Sequence, residues 1–261
     1  MQRRIQWLLP AALLLAAVAA APDARAAAEV HKLNLVFSAM PTSIDGGDFR
    51  RDLDYLNENF LESRGLEGLD AVTSGWMFGA GLRYMVRQNF AVDVGVEQMK
   101  AQTKREYLPA LQTSVQLREE MLTVPIHVGG AYYFQALNQG DFQARFYLGG
   151  GLLSMAMNRV TQQTSIVRPD SAGINVSQNS LVRSIGFGPG YYVEGGFHMF
   201  FASHFNVMLS TNYHSMVTRE MYWSQAPAQF QNSQTNNTHA GTPYVLDTSG
   251  IGVKLTIGYG L

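Results

Sequence analysis

Nine ionisable side chains recur on one phase of an alternating pattern: Arg83, Asp93, Glu97, His127, Arg145, Glu194, His198, His214 and Lys254. Such residue types can shuttle protons, activate a hydroxyl or hold a metal. The spacing removes most of that chemistry. His214 and Ser215 are adjacent, so a strand points them to opposite faces, and Ser203 with His204 has the same problem in a turn. Without cysteine there is no thiol nucleophile, zinc–thiolate site, disulfide or lipid-modified cysteine. Gly186–Gly190 reads Gly-Phe-Gly-Pro-Gly but lacks the strand-to-helix setting of a phosphate loop. The acids between Asp48 and Asp70 lack the spacing of a calcium loop. The expectation is therefore no catalytic residue, no metal and no cofactor. What remains is three bases (Arg83, Arg145, Lys254) and three acids (Asp93, Glu97, Glu194), with histidines between them. This is a set that balances if it is enclosed together.

The elements that must carry these side chains have a period of two. In the C-terminal segment, Ile251, Val253, Leu255, Ile257, Tyr259 and Leu261 alternate with Gly252, Lys254, Thr256, Gly258 and Gly260. Trp76 to Val86, Phe90 to Val96, Leu122 to Phe134, Ala144 to Leu152, Ile185 to Met199 and Phe205 to Tyr213 do the same. A shorter opening segment around Leu33–Phe37 brings the number of strands to eight. Short links near residues 87–89, 135–141 and 202–204 alternate with long polar ones at about 41–74, 104–120, 159–182 and 219–246. Such alternation fits an up-and-down barrel crossing a membrane, with short turns on one side and long loops on the other. An Arg or Lys facing lipid at the bilayer midplane costs roughly 2–4 kcal/mol, so the charged face must line the lumen. The opposite face is apolar, with aromatics toward the strand ends. Tyr84, Phe90, Tyr132, Phe134, Phe205 and Tyr259 fall beside the short turns, and Trp76 and Trp223 near the long loops. These are two expected girdles.

Composition agrees. Charged residues make up 15% of 261 residues at a mean hydropathy of −0.06, with 14 Phe, 12 Tyr and 25 Gly. That excludes a highly charged disordered chain, and a net charge of −1 offers no basic footprint for nucleic acid. Residues 1–26 read as an export signal: Arg3 and Arg4, an apolar stretch, then Ala24-Arg25-Ala26. Cleavage there leaves residues 27–261 as the barrel and changes the net charge to −3, because Arg3, Arg4, Asp23 and Arg25 leave with it.

In the first long loop, Phe49, Leu53, Leu56, Phe60 and Leu61 form the apolar stripe of a helix over Asp48–Leu61. Asp45 or Asp48 is expected to cap its start, and Gly65 or Gly68 to end it. The stretch from Asp48 to Asp70 carries a net −4. It reads as a lid on the barrel mouth or as a partner-binding element. Polar segments at Thr161–Ser165, Ser177–Ser180 and Gln225–Thr242 fill the other loops.

The export signal, the eight amphipathic strands and the ending Ile257-x-Tyr259-x-Leu261 resemble the small outer-membrane β-barrels of the OmpA-like, opacity-like group. That group commonly ends in Phe where this chain has Leu261, and no peptidoglycan-binding domain is expected after the barrel. The resemblance implies an all-β, eight-stranded antiparallel barrel in the outer membrane with a helical first external loop. It also implies outer-membrane lipid, lipopolysaccharide and the barrel assembly machinery as partners, and an extracellular ligand on the loops. The expected role is non-enzymatic, in envelope structure or surface binding around a filled, salt-bridged lumen. A narrow channel, a lateral-exit transporter and a lipid A-modifying enzyme are the alternatives.

Overall fold

The computed structural model describes residues 30–110, 113–139, 142–169, 175–201, 204–225 and 244–261. The expected export signal, Ser203 and residues 226–242 of the last polar loop lie outside the described residues, as do the side chains of Trp223 and of Ser177–Ser180.

The alternating segments form β1 (Leu33–Ser43), β2 (Ser74–Arg87), β3 (Phe90–Ala110), β4 (Thr113–Gln139), β5 (Phe142–Pro169), β6 (Asn175–Phe201) and β7 (Phe205–Gln225). The eighth barrel strand is in two segments, β8 (Tyr244–Asp247) and β9 (Gly250–Gly260). Every strand runs antiparallel to its neighbours. β1 pairs with β9 in the register Leu35↔Tyr259 and Phe37↔Ile257, which closes the sheet. Closure pairs the ladder groups that an open edge would expose to lipid, and this is the condition for strands to cross a bilayer.

The long links are shorter than their polarity suggested. β4 and β5 run to 27 and 28 residues, whereas a tilted strand needs only about 9–11 to cross. The stretches expected as loops at 104–120 and 159–182 largely continue the ladder, with Lys104 opposite Arg118 and Thr161 opposite Arg183. Above the bilayer the outward face meets water, so the apolar alternation stops. Thr, Val and Tyr still favour the pleat. Among the described residues, the first loop makes the long departure from the sheet, between Ser43 and Ser74.

That loop is helical. α1 (Asp48–Leu56) continues through a wide turn over Asn57–Leu61 and a tight one over Glu62–Arg64. Gly65 stops it in the left-handed conformation (φ 69°), its N–H donating to the Glu62 carbonyl at 2.8 Å. The expected side-chain cap is absent: Gly47 holds the N-cap position. Asp45 accepts the Gly47 N–H at 3.3 Å, and Asp48 instead accepts the Val245 N–H at 2.7 Å. The Asp48 carboxylate thus fastens the helix to β8 and also pairs with Arg51 in the first turn.

Candidate functional site

Six ionisable lumen side chains close a ring. Arg83 on β2 meets Glu194 on β6 at 3.0 Å, and Glu194 reaches Lys254 on β9 at 3.9 Å. Lys254 holds Glu97 on β3 at 2.8 Å. His127 on β4 lies 4.0 Å from Glu97 and 3.5 Å from Asp93, and Asp93 returns to Arg83 at 3.8 Å. Five strands are tied across the lumen by one circuit. The carboxylates and Arg83 are buried, where an unpaired charge costs several kcal/mol. Three carboxylates thus face two permanent cations, with the His127 imidazole between Glu97 and Asp93.

Two predicted members lie elsewhere. Arg145 pairs in register with His198, four residues from Gly149, the β5 partner of Glu194. Four residues of strand span about 13 Å, too far for an ion pair. Its Nε donates to Gln143 at 2.9 Å, its Nη1 donates to the Gln88 carbonyl, and its guanidinium lies over the Phe200 ring. The expected match of three bases to three acids is therefore corrected: Arg145 belongs to the short-turn end. His198 is fully buried between Tyr133 and Asn206, with both contacts at 2.9 Å, and it stacks on Phe200. It meets the ring only through Tyr133, whose hydroxyl accepts from Arg83 at 3.2 Å.

Tyrosines and asparagines complete what the charges began. Tyr192 donates to Asp93 at 2.6 Å, and Arg83 sits over the Tyr147 ring at 5.4 Å. Asn206 donates to Asn34 at 2.8 Å. These residues share the inward phase of the charges, and that phase was the only sequence signal for them. Gly151 is required here, since a Cβ would come within 2.8 Å of the Tyr192 ring.

The upper lumen has different chemistry. Met77, Met99, Met121, Met155 and Met216 face inward above the ring, with Leu153 and Val160. Phe49, Leu53 and Leu61 of the first loop pack onto them. The ion pairs of the expected salt-bridged lumen thus lie in its lower part, and the upper part is mainly apolar, with Asn158 and Thr218 hydrogen-bonded among the methionines. Between ring and methionines, a void bounded by His127, Tyr192, His214, Met216 and Lys254 measures about 10 Å³, room for one water. Where the first loop meets the wall, Glu119 is buried with one carboxylate oxygen unpartnered. Burial, reinforced by the nearby Asp52 carboxylate, holds its carboxyl well above the usual range, and a hydrogen bond from Gln162 opposes that.

The exterior carries the aromatic belts. Tyr84, Phe90, Tyr132, Phe134, Phe205 and Tyr259 are exposed toward the short turns, and Trp76 stacks with Phe78 at the opposite boundary. Tyr132, Phe134, Phe146 and Phe197 form a chain of ring contacts, and Phe205 meets Tyr259. From Trp76 to Tyr84, nine residues of β2 span the apolar wall, every second one facing outward, a bilayer's worth for a tilted strand.

A closed antiparallel barrel, apolar and belted outside and charged within, is an outer-membrane β-barrel. The chain belongs to the outer membrane protein beta-barrel domain family, which matches residues 11–256. No curated protein matches it. Among solved structures it is similar to Ail, the attachment invasion locus protein of Yersinia pestis, at 12% identity and a TM-score of 0.27, covering 88% of this chain and 99% of that one. Ail in complex with the heparin analogue sucrose octasulfate is matched at 13% identity and a TM-score of 0.23, covering 87% and 95%. LpxR from Salmonella typhimurium is matched at 10% identity and a TM-score of 0.22, covering 87% and 100%.

Proposed function

We propose that this protein is a closed, non-enzymatic barrel that serves the envelope as a structural and surface-binding element through its extracellular end. The observation that carries this reading is the charge circuit Arg83–Glu194–Lys254–Glu97–His127–Asp93, which spans the lumen beneath a void of only one water. An ion would have to break these buried pairs to pass. In support of the non-enzymatic part, His214 donates from Nε2 to the Thr248 carbonyl at 3.0 Å, and His198 is fully buried between Tyr133 and Asn206. Extended hairpins above the lipid are the surface for lipopolysaccharide and for an extracellular ligand, and the barrel assembly machinery is the partner for insertion. Planar-bilayer recording of the refolded mature protein tests the reading. No steady openings are expected, and reproducible unitary currents would overturn it. Altered lipid A mass on expression would overturn the non-enzymatic part.

One observation favours a lateral exit as a second reading. The register slips on both sides of β5, at Val124/Pro125, at Met155/Asn158 and, on β6 against β7, at Gly186/Gly190. Pro125 and Pro189 flank it without an N–H to give. A disulfide between Val124→Cys and Met157→Cys would then slow uptake of a small apolar solute; unchanged uptake sinks this route.

A further inference from the structure

The outward wall changes character one rung above the aromatic boundary. Trp76, Lys100, Leu122 and Arg159 lie in one register line across β2 to β5. They share the outward phase of Phe78 and Tyr84, since residues paired across a ladder point to the same face. The following lines add Gln102, Glu120 and Thr161, then Lys104, Arg118 and Gln163. Four cations therefore gather on three strands around one carboxylate.

Glu120 is buried beneath them. Its carboxylate lies 3.3 Å from Lys100, 2.5 Å from Arg118 and 3.8 Å from Arg159, and Arg118 also donates to Gln102 at 3.1 Å. Glu106, further up the same face, accepts from the Ser114 hydroxyl at 2.6 Å. One carboxylate cannot saturate three cations, and the Arg159 Nε is buried with no hydrogen-bond acceptor. The Lys100 side chain remains about half exposed. On β1 and β9 the outward residues at this end are uncharged: Pro41, Ser43, Ile251 and Val253. The positive excess is local, in a chain whose overall charge is −1.

The place of this patch identifies its occupant. It faces sideways from the wall, continuous with the hydrocarbon-facing belt below, where headgroups of the outer leaflet must lie. Next to it, Leu152, Phe187, Tyr191 and Val217 line an outward hollow of about 500 Å³ that runs up to Arg219, a recess an acyl chain can fill. We propose that Lys100, Arg118 and Arg159, held apart by Glu120, form a docking site for the sugar-bound phosphates of an acylated glycolipid of the outer leaflet. This deepens the reading of the hairpins as a lipopolysaccharide surface and rests on it. It does not depend on whether the lumen conducts.

The test uses the full mature chain refolded in zwitterionic detergent micelles and titrated with bisphosphorylated lipid A or with its phosphate-free form. The phosphorylated form should bind at least tenfold tighter. The triple variant Lys100→Gln/Arg118→Gln/Arg159→Gln, its folding checked by heat-modifiable gel migration, should lose that preference. Lys100→Gln alone should lose about fivefold, the worth of one cation near an anionic headgroup, and it covers the case in which the triple variant does not fold. Equal affinity for the two lipid forms, or a preference unchanged in the variants, would overturn the site. So would competition by a sulfated oligosaccharide as strong as by the lipid, which would make it a general polyanion surface.

Discussion

The lower and upper halves of this lumen are filled by opposite means. Below, five strands are tied by charges, and two of the pairs, Arg83 with Glu194 and Lys254 with Glu97, meet only once the barrel has closed. Above, methionines of the wall receive a helix brought by the first loop. β2 serves both halves from one face, with Met77 in the upper plug and Arg83 in the lower. The difference is one of independence. The ring belongs to the barrel and should fail with it, while the helix can leave a barrel that stays closed.

Removing a ring member should therefore have the largest effect. Arg83→Ala removes the guanidinium that pairs with both Glu194 and Asp93 and is expected to cost the whole barrel about 3–5 kcal/mol, read as equilibrium unfolding in lipid vesicles by tryptophan fluorescence. A loss below about 1 kcal/mol would show that the ring is ornamental. Phe49→Ala should loosen the helix by about 3 kcal/mol and leave barrel unfolding unchanged. Faster proteolysis within residues 48–64 with an intact barrel fragment is the expected pattern, and coupled loss of both would erase the distinction. Asp48→Ala removes the acceptor of the Val245 N–H and should weaken the same seat by about 1.5–3 kcal/mol, visible as faster amide exchange in α1.

The smallest effect is on pH. Glu119 sits above the bilayer with a raised carboxyl, so its protonated form is the one the seated helix favours. The stabilisation is complete below the ordinary glutamate range near 4.3 and fades as pH rises through the raised value. Protection of the α1 amides, taken relative to their intrinsic exchange at each pH, should thus be greater in mild acid than at neutral pH, and Glu119→Gln should flatten that dependence. A profile that steepens or reverses in the variant would contradict the assignment.

The sequence made the strands and the inward phase legible because a membrane forces strict alternation: lipid fixes one face, and charge cannot join it. Arg83, Asp93, Glu97 and Lys254 were visible for that reason. Arg145 was misplaced because alternation records which face a residue takes and says nothing of its height along the barrel. Met77, Met99 and Met121 stood on the face read as polar. Their role appears only when a helix more than twenty residues away in sequence closes over them. The hairpin extensions were hidden for a related reason, since a strand wetted on its outward face has no reason to alternate.

The central claim is that the lower ring alone closes the lumen. Planar-bilayer recording of Phe49→Ala/Leu53→Ala beside the unaltered protein tests it most directly, because the variant loosens the upper plug and leaves the ring intact. Both should stay silent. Steady, reproducible openings in either protein would show that the circuit of Arg83, Glu194, Lys254, Glu97, His127 and Asp93 does not seal the barrel.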